Sequence, residues 1–195
     1  LDARQKILLL YAAPHPDIAA LKKITEKNKN YVLDIKPFEG ASPNWNDYSM
    51  VIFHQLPGKT QDISIAIREL NKSQKARMFI LGGGSDIPRF NNVQSILKIN
   101  GDSKNMNEVT GEIKESFGLF TPDPNWKPFF KSFPPISAPF GEYQISPAAQ
   151  TLITQKIGNI LTNYPLLTIG EDSGARTAVL TAEGIWKWRY YNFLE

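Results

Sequence analysis

The sequence predicts an α/β chain, built as a doubly wound, mostly parallel sheet sandwiched by helices. Short continuous apolar runs have strand length, segments with helical apolar spacing separate them, and Gly- or Pro-rich turns close them. Right-handed crossovers then put helices on both faces of the sheet.

Lys6 to Ala13 is the first apolar run, ending at Pro14-His15-Pro16-Asp17, which stops a strand and suits a helix start. Ile18, Leu21 and Ile24 then recur at helical spacing, with Lys22, Lys23, Glu26 and Lys27 opposite them. Tyr31 to Phe38 alternates as an edge strand does, and Tyr48 to Leu56 is a second buried strand closed by Pro57-Gly58. Ile63, Ile65, Ala66, Ile67 and Leu70 predict a helix, Ala76 to Leu81 a third buried strand, and Phe90, Val93, Ile96 and Leu97 a further helix.

Beyond Asn100 the pattern changes. Residues 101–147 are expected to form an irregular excursion rich in Pro and aromatic residues. Within it, Glu108 to Phe120 is extended, and Trp126, Phe129, Phe130, Phe133 and Phe140 are too apolar to stay in water. Thr151 to Ile157, Pro165 to Ile169 and Thr177 to Thr181 supply closing strands.

At 195 residues with 42% hydrophobic content, the chain suits a single domain with one core. Its 22 Lys and Arg against 19 Asp and Glu leave a charge of +3 without a basic block, which argues against a nucleic-acid partner. No apolar run reaches the ~20 residues of a membrane span, so this segment is not expected to insert directly. Zero cysteines exclude disulfides, thiolate nucleophiles and zinc–thiolate sites. The chain starts at Leu1 without a signal-peptide pattern, and we expect a piece excised from a longer protein.

Three segments carry a resemblance: Tyr11 to Asp17, Val51 to Pro57, and Glu183-Gly184-Ile185-Trp186-Lys187-Trp188-Arg189. Together they resemble an uncharacterised group of bacterial class I glutamine amidotransferase-like domains found within larger membrane-anchored proteins. The resemblance implies a flavodoxin-like sandwich on the outer, periplasmic side of the cytoplasmic membrane, and no known activity. Active amidotransferases use a Cys on a strand-to-helix elbow and a His and Glu after a late strand. The resemblance puts Gly82 to Asp86 at the elbow, with Gly83, Gly84 or Ser85 where the Cys would stand. The late-strand position near Glu183 to Trp188 offers Glu183 and no His. A degenerate domain without catalytic residues, metal or cofactor is the expectation.

Ligands of such sheets gather at the carboxyl ends of the strands. With the first and third strands as neighbours, that edge holds His15, Asp17, His54 and Gln55, joined by the Gly83-Gly84-Ser85-Asp86 turn and by Glu183, Trp186 and Arg189. His15, Asp17 and His54 could form a polar or metal-binding group, or His15 could flank a helix start and His54 close a strand. The glycine turn could cradle a phosphate, or serve as a tight turn with Ser85 or Asp86 capping a helix. A Ser85 nucleophile would need an imidazole in reach. Trp186-Lys187-Trp188-Arg189, read as extended, puts both indoles on one side, as a platform or as core, with Arg189 pairing Glu183 or Glu195.

The leading expectation is a non-catalytic binding or interaction module. Its partners would be other domains of the same polypeptide or envelope proteins, with a small ligand possible at the strand-end edge. The alternative is a hydrolase using Ser85 or a metal held by His15 and His54.

Overall fold

The computed structural model describes residues 4–40 and 43–194. Its elements in chain order are β1 (Gln5–Tyr11), α1 (Pro16–Lys27), β2 (Tyr31–Pro37), β3 (Met50–His54), α2 (Ser64–Ser73), β4 (Ala76–Ile80), α3 (Ile87–Val93), β5 (Leu97–Ile113), α4 (Trp126–Ser132), β6 (Ile136–Ile145), β7 (Ala149–Ile157), β8 (Ile160–Asp172), β9 (Ala175–Leu180) and α5 (Ile185–Leu194). They make one mixed sheet of order β2-β1-β3-β4-β9-β8-β7-β5-β6.

This corrects the expected architecture. The junctions from β2 to β9 are parallel, whereas β9–β8, β8–β7, β7–β5 and β5–β6 are antiparallel, so the sheet is not mostly parallel and not doubly wound throughout. For β7–β8 and β8–β9 the reason lies in the turns. Ile157 pairs with Ile160 across Gly158-Asn159, and Asp172 with Ala175 across Ser173-Gly174. Gly158, Ser173 and Gly174 all have positive φ, the geometry of two-residue hairpins, and a hairpin can only return antiparallel.

The excursion is also more regular than expected. β5 pairs with β6 over most of its length and then with β7, and α4 lies between β5 and β6 in sequence. Two local expectations change as well. Ile96 and Leu97 lie beyond the end of α3, and residues 186–189 sit in helix α5 rather than on a strand.

In the parallel half, alternate residues feed two apolar layers. Leu8, Leu10, Val51, Phe53 and Phe79 pack with Ile67 and Leu70 of α2 and Phe90 of α3. Leu9, Ile52, Ile80 and Leu180 face the opposite way, toward Ile18 of α1 and Ile185 and Trp188 of α5. Burial on both faces explains why these strands read as continuous apolar runs. At the amino end of β4, buried Arg77 donates to the Asp172 side chain and carbonyl (both 2.9 Å), to Thr177 (3.1 Å) and to Asn71. Among the described residues, no helix is long and apolar enough to cross a membrane.

Candidate functional site

The carboxyl ends of β1, β3, β4 and β9 bring the candidate residues together, and Asp17 is the hub. It sits in the first turn of α1 and is fully buried. Its Oδ2 accepts the Gly184 N–H (2.8 Å) and its Oδ1 the Trp186 N–H (2.9 Å). These amides lead into α5, so Asp17 answers donors that the start of α5 leaves without intrahelical partners. Gly184 holds φ +107, a conformation that favours glycine. Burial raises the Asp17 carboxyl pKa, but the His54 ring, the two amide donors and His15 outweigh burial and hold it below its ordinary value.

Both histidines flank this carboxylate. His15 precedes α1 and accepts the Asp17 N–H through Nδ1 (3.2 Å), which leaves Nε2 to carry the proton in the neutral ring. His15 Nδ1 lies 3.4 Å and His54 Nε2 3.7 Å from Asp17 Oδ2. The two rings stand 5.0 Å apart. His54 is fully buried, and among the described residues neither of its ring nitrogens has a partner within hydrogen-bond distance, the nearest acceptor being Asp17 Oδ2 at 3.7 Å from Nε2. Buried polar atoms are rarely left so.

The elbow after β4 is occupied by the chain's own side chains. Glu183 Oε2 accepts the Gly83 N–H (3.0 Å) and a hydrogen bond from the Gln55 amide, whose Oε1 accepts the Gly84 N–H (3.1 Å). Glu183 is fixed by a two-way backbone bridge to Ser137 at the start of β6 (both 2.9 Å). Gln55, at φ +53, turns its side chain under the glycines. A Cβ on Gly82 would overlap Glu183 Oε2 and lie 2.6 Å from Gln55 Nε2, so any larger residue there has to push both side-chain ends aside.

Ser85 is not poised for attack. It is 1% exposed, its Oγ accepts the Gly82 N–H (3.1 Å), and its carbonyl accepts from Ser103 (2.6 Å). Asp86, one of the two expected capping candidates, caps α3 through the Arg89 N–H (3.0 Å). With α3 only seven residues long and the Gly83 and Gly84 amides taken, the turn offers no phosphate cradle.

The helical setting of residues 186–189 separates the two indoles. Trp188 stacks on Phe133 (5.2 Å) and donates to the Pro134 carbonyl (2.9 Å), whereas Trp186 is partly exposed. Arg189 makes no ion pair with Glu183 among the described residues, and Glu195 lies outside them. Gly82, already placed at the elbow by the sequence, shapes the site together with Ser103 and Gly184, which were not among the expected site residues. A Glu-Gly pair between a strand and a helix was the available signal for Gly184.

Away from this edge, a groove of about 610 Å³ crosses the sheet face beneath α4 and Trp188. Phe120, Trp126 and Phe129 line it and remain 45%, 39% and 44% exposed, while Met78, Leu167 and Ile169 form part of its floor.

No protein-family model matches the chain, and no curated protein sequence does. Solved structures do. A ThuA-like protein from Bacteroides uniformis, of the class I glutamine amidotransferase-like fold, matches 97% of this chain and 89% of its own, at TM-score 0.50 and 14% identity. The β-galactosidase of Rahnella sp. R3 matches 98% of this chain at TM-score 0.56 and 10% identity. The α-L-fucosidase isoenzyme 2 of Paenibacillus thiaminolyticus matches 94% at TM-score 0.57 and 8% identity. The chain spans 31% and 29% of those two glycosidases. At these identities the likeness is one of fold, and the glycosidase matches accord with the mixed sheet rather than the expected flavodoxin-like one.

Proposed function

We propose that this chain is a non-catalytic glutamine amidotransferase-like binding or interaction module of a larger, membrane-associated bacterial protein, acting on its periplasmic side. One observation carries the reading: the elbow amides that could stabilise an oxyanion, Gly83 N–H and Gly84 N–H, are already engaged by Glu183 and Gln55. An oxyanion hole needs free donors aimed at the reacting oxygen, and a hydroxyl nucleophile needs a base. Ser85 Oγ instead serves the Gly82 amide. The periplasmic setting rests on the sequence resemblance.

The apolar groove supports the interaction half of the proposal. Three partly exposed aromatic rings beside one apolar floor are what a packed partner covers. The proposed occupant is another domain of the same polypeptide, in keeping with a fold that makes up under a third of the matched glycosidases.

Turnover of glutamine and of activated esters, measured for wild type and Ser85→Ala, tests the catalytic half. Both proteins are expected to stay at the buffer background; saturable turnover that Ser85→Ala abolishes overturns the proposal. Amide hydrogen exchange tests the other half. In the full-length protein, α4 and the neighbouring strands are expected to exchange more slowly than in the 195-residue chain. Equal rates count against an intramolecular partner.

A further inference from the structure

We infer that His15, Asp17 and His54 form a binding site for a divalent transition-metal ion of the zinc class. One donor atom from each residue lies within 4.8 Å of the other two. Metal–ligand bonds of about 2.0–2.1 Å put neighbouring donors about 3.3 Å apart in a tetrahedron and about 2.9 Å apart in an octahedron. The observed 3.4 Å from His15 Nδ1 to Asp17 Oδ2 and 3.7 Å from His54 Nε2 to the same oxygen approach the tetrahedral spacing, while the widest donor pair, within 4.8 Å, has to close by roughly 1.5 Å around a bound ion. Two imidazoles and one carboxylate suit a borderline ion such as Zn²⁺ rather than Mg²⁺ or Ca²⁺, which take oxygen ligands.

The independent observation is His54 itself, fully buried, with neither nitrogen within hydrogen-bond distance of a partner among the described residues. An ion bound at Nε2 supplies that nitrogen with a partner. The surrounding groups also fit. Each Asp17 oxygen already accepts a backbone N–H, which fixes the carboxylate and leaves Oδ2 a further lone pair. His15 turns Nε2 toward Glu183 Oε2 at 3.7 Å, placing a carboxylate behind the ring as in many histidine metal sites. Binding through Nδ1 replaces the 3.2 Å bond from the Asp17 N–H. Asp17 and His54 are buried, whereas the His15 and Glu183 side chains are 22% and 24% exposed, so the ion reaches the site from their side.

This inference goes beyond the module reading and does not depend on it. These are the only two histidines of a chain without cysteine, so tag-free protein gives a clean experiment. Chelator-treated wild type is titrated with Zn²⁺ by calorimetry and with Co²⁺ by visible absorption, beside His15→Ala and His54→Ala. Wild type is expected to take about one ion per chain and to give the intense visible bands of four-coordinate Co²⁺. His15→Ala, whose side chain is partly exposed, is expected to stay folded with a melting temperature lower by only about 2–5 °C from the lost α1 cap, and to weaken binding at least about a hundredfold, since losing even an outer partner weakens such sites 10- to 100-fold. Failure to bind stoichiometrically, or binding unchanged in folded His15→Ala, overturns the site. If the zinc-loaded protein hydrolyses a substrate, the metal site stands and the non-catalytic reading falls.

Discussion

Alanine at Gly82 is expected to eject the Glu183 carboxylate from the elbow, whereas alanine at Gly83 is not. A Cβ on Gly82 would overlap Glu183 Oε2 and crowd Gln55 Nε2 at 2.6 Å, while at Gly83 it would meet nothing closer than Glu183 Oε1 at 3.8 Å. Ejection breaks the bond from the Gly83 N–H and the bond from the Gln55 amide. Hydrogen bonds to a charged group contribute about 1.5–3 kcal/mol each. Because Glu183 is partly exposed and regains water, about 2–4 kcal/mol for the pair is reasonable. For a domain of this size, that lowers Tm by about 5–15 °C. Urea unfolding followed by tryptophan fluorescence measures the loss, with the slope expected to stay constant. Gly83→Ala is expected to lose less than about 1 kcal/mol, and so is Gly82→Ala placed in a Glu183→Ala background. If Gly82→Ala is as mild as Gly83→Ala, or equally damaging without the Glu183 carboxylate, the occupied-elbow account fails.

Arg77→Met is expected to destabilise by about 3–5 kcal/mol, because it leaves the largely buried Asp172 carboxylate without its cation; a loss under about 1 kcal/mol in urea unfolding would show the pair to be dispensable. Asp17 supplies a pH dependence of known sign. Its native carboxyl is held below the ordinary value of 3.8, so its stabilisation is complete above that range and disappears as pH falls through the native value. Asp17→Asn is therefore expected to flatten the acid limb of stability against pH, and superimposable acid limbs for the two proteins would contradict the assignment.

The parallel half was legible because residues such as Leu8 to Leu10 and Val51 to Phe53 are buried on both faces and followed by segments of helical period. Two of the four antiparallel junctions, β7–β8 and β8–β9, turned on two dipeptides. Gly158-Asn159 and Ser173-Gly174 are two-residue hairpin signals, and without them the late strands cannot be oriented. Residues 186–189 misled because polar–apolar alternation over four residues resembles a strand, whereas Asp17 receives the Gly184 and Trp186 amides at the start of a helix. His15, Asp17 and His54 could be grouped from strand order alone, since each follows or ends a neighbouring strand. The insertion of Glu183 between Gln55 and Gly83 could not, because it joins residues 128 and 100 positions apart in the chain.

Amide hydrogen exchange at Gly83 and Gly84, in wild type and Glu183→Ala, tests the central claim most directly. The account predicts protection of both amides in wild type and selective loss at Gly83 in the variant, with Gly84 still held by Gln55. A Gly83 amide that exchanges in wild type as fast as an unbonded one would show the elbow to be open, and the inert-site reading would have to be abandoned.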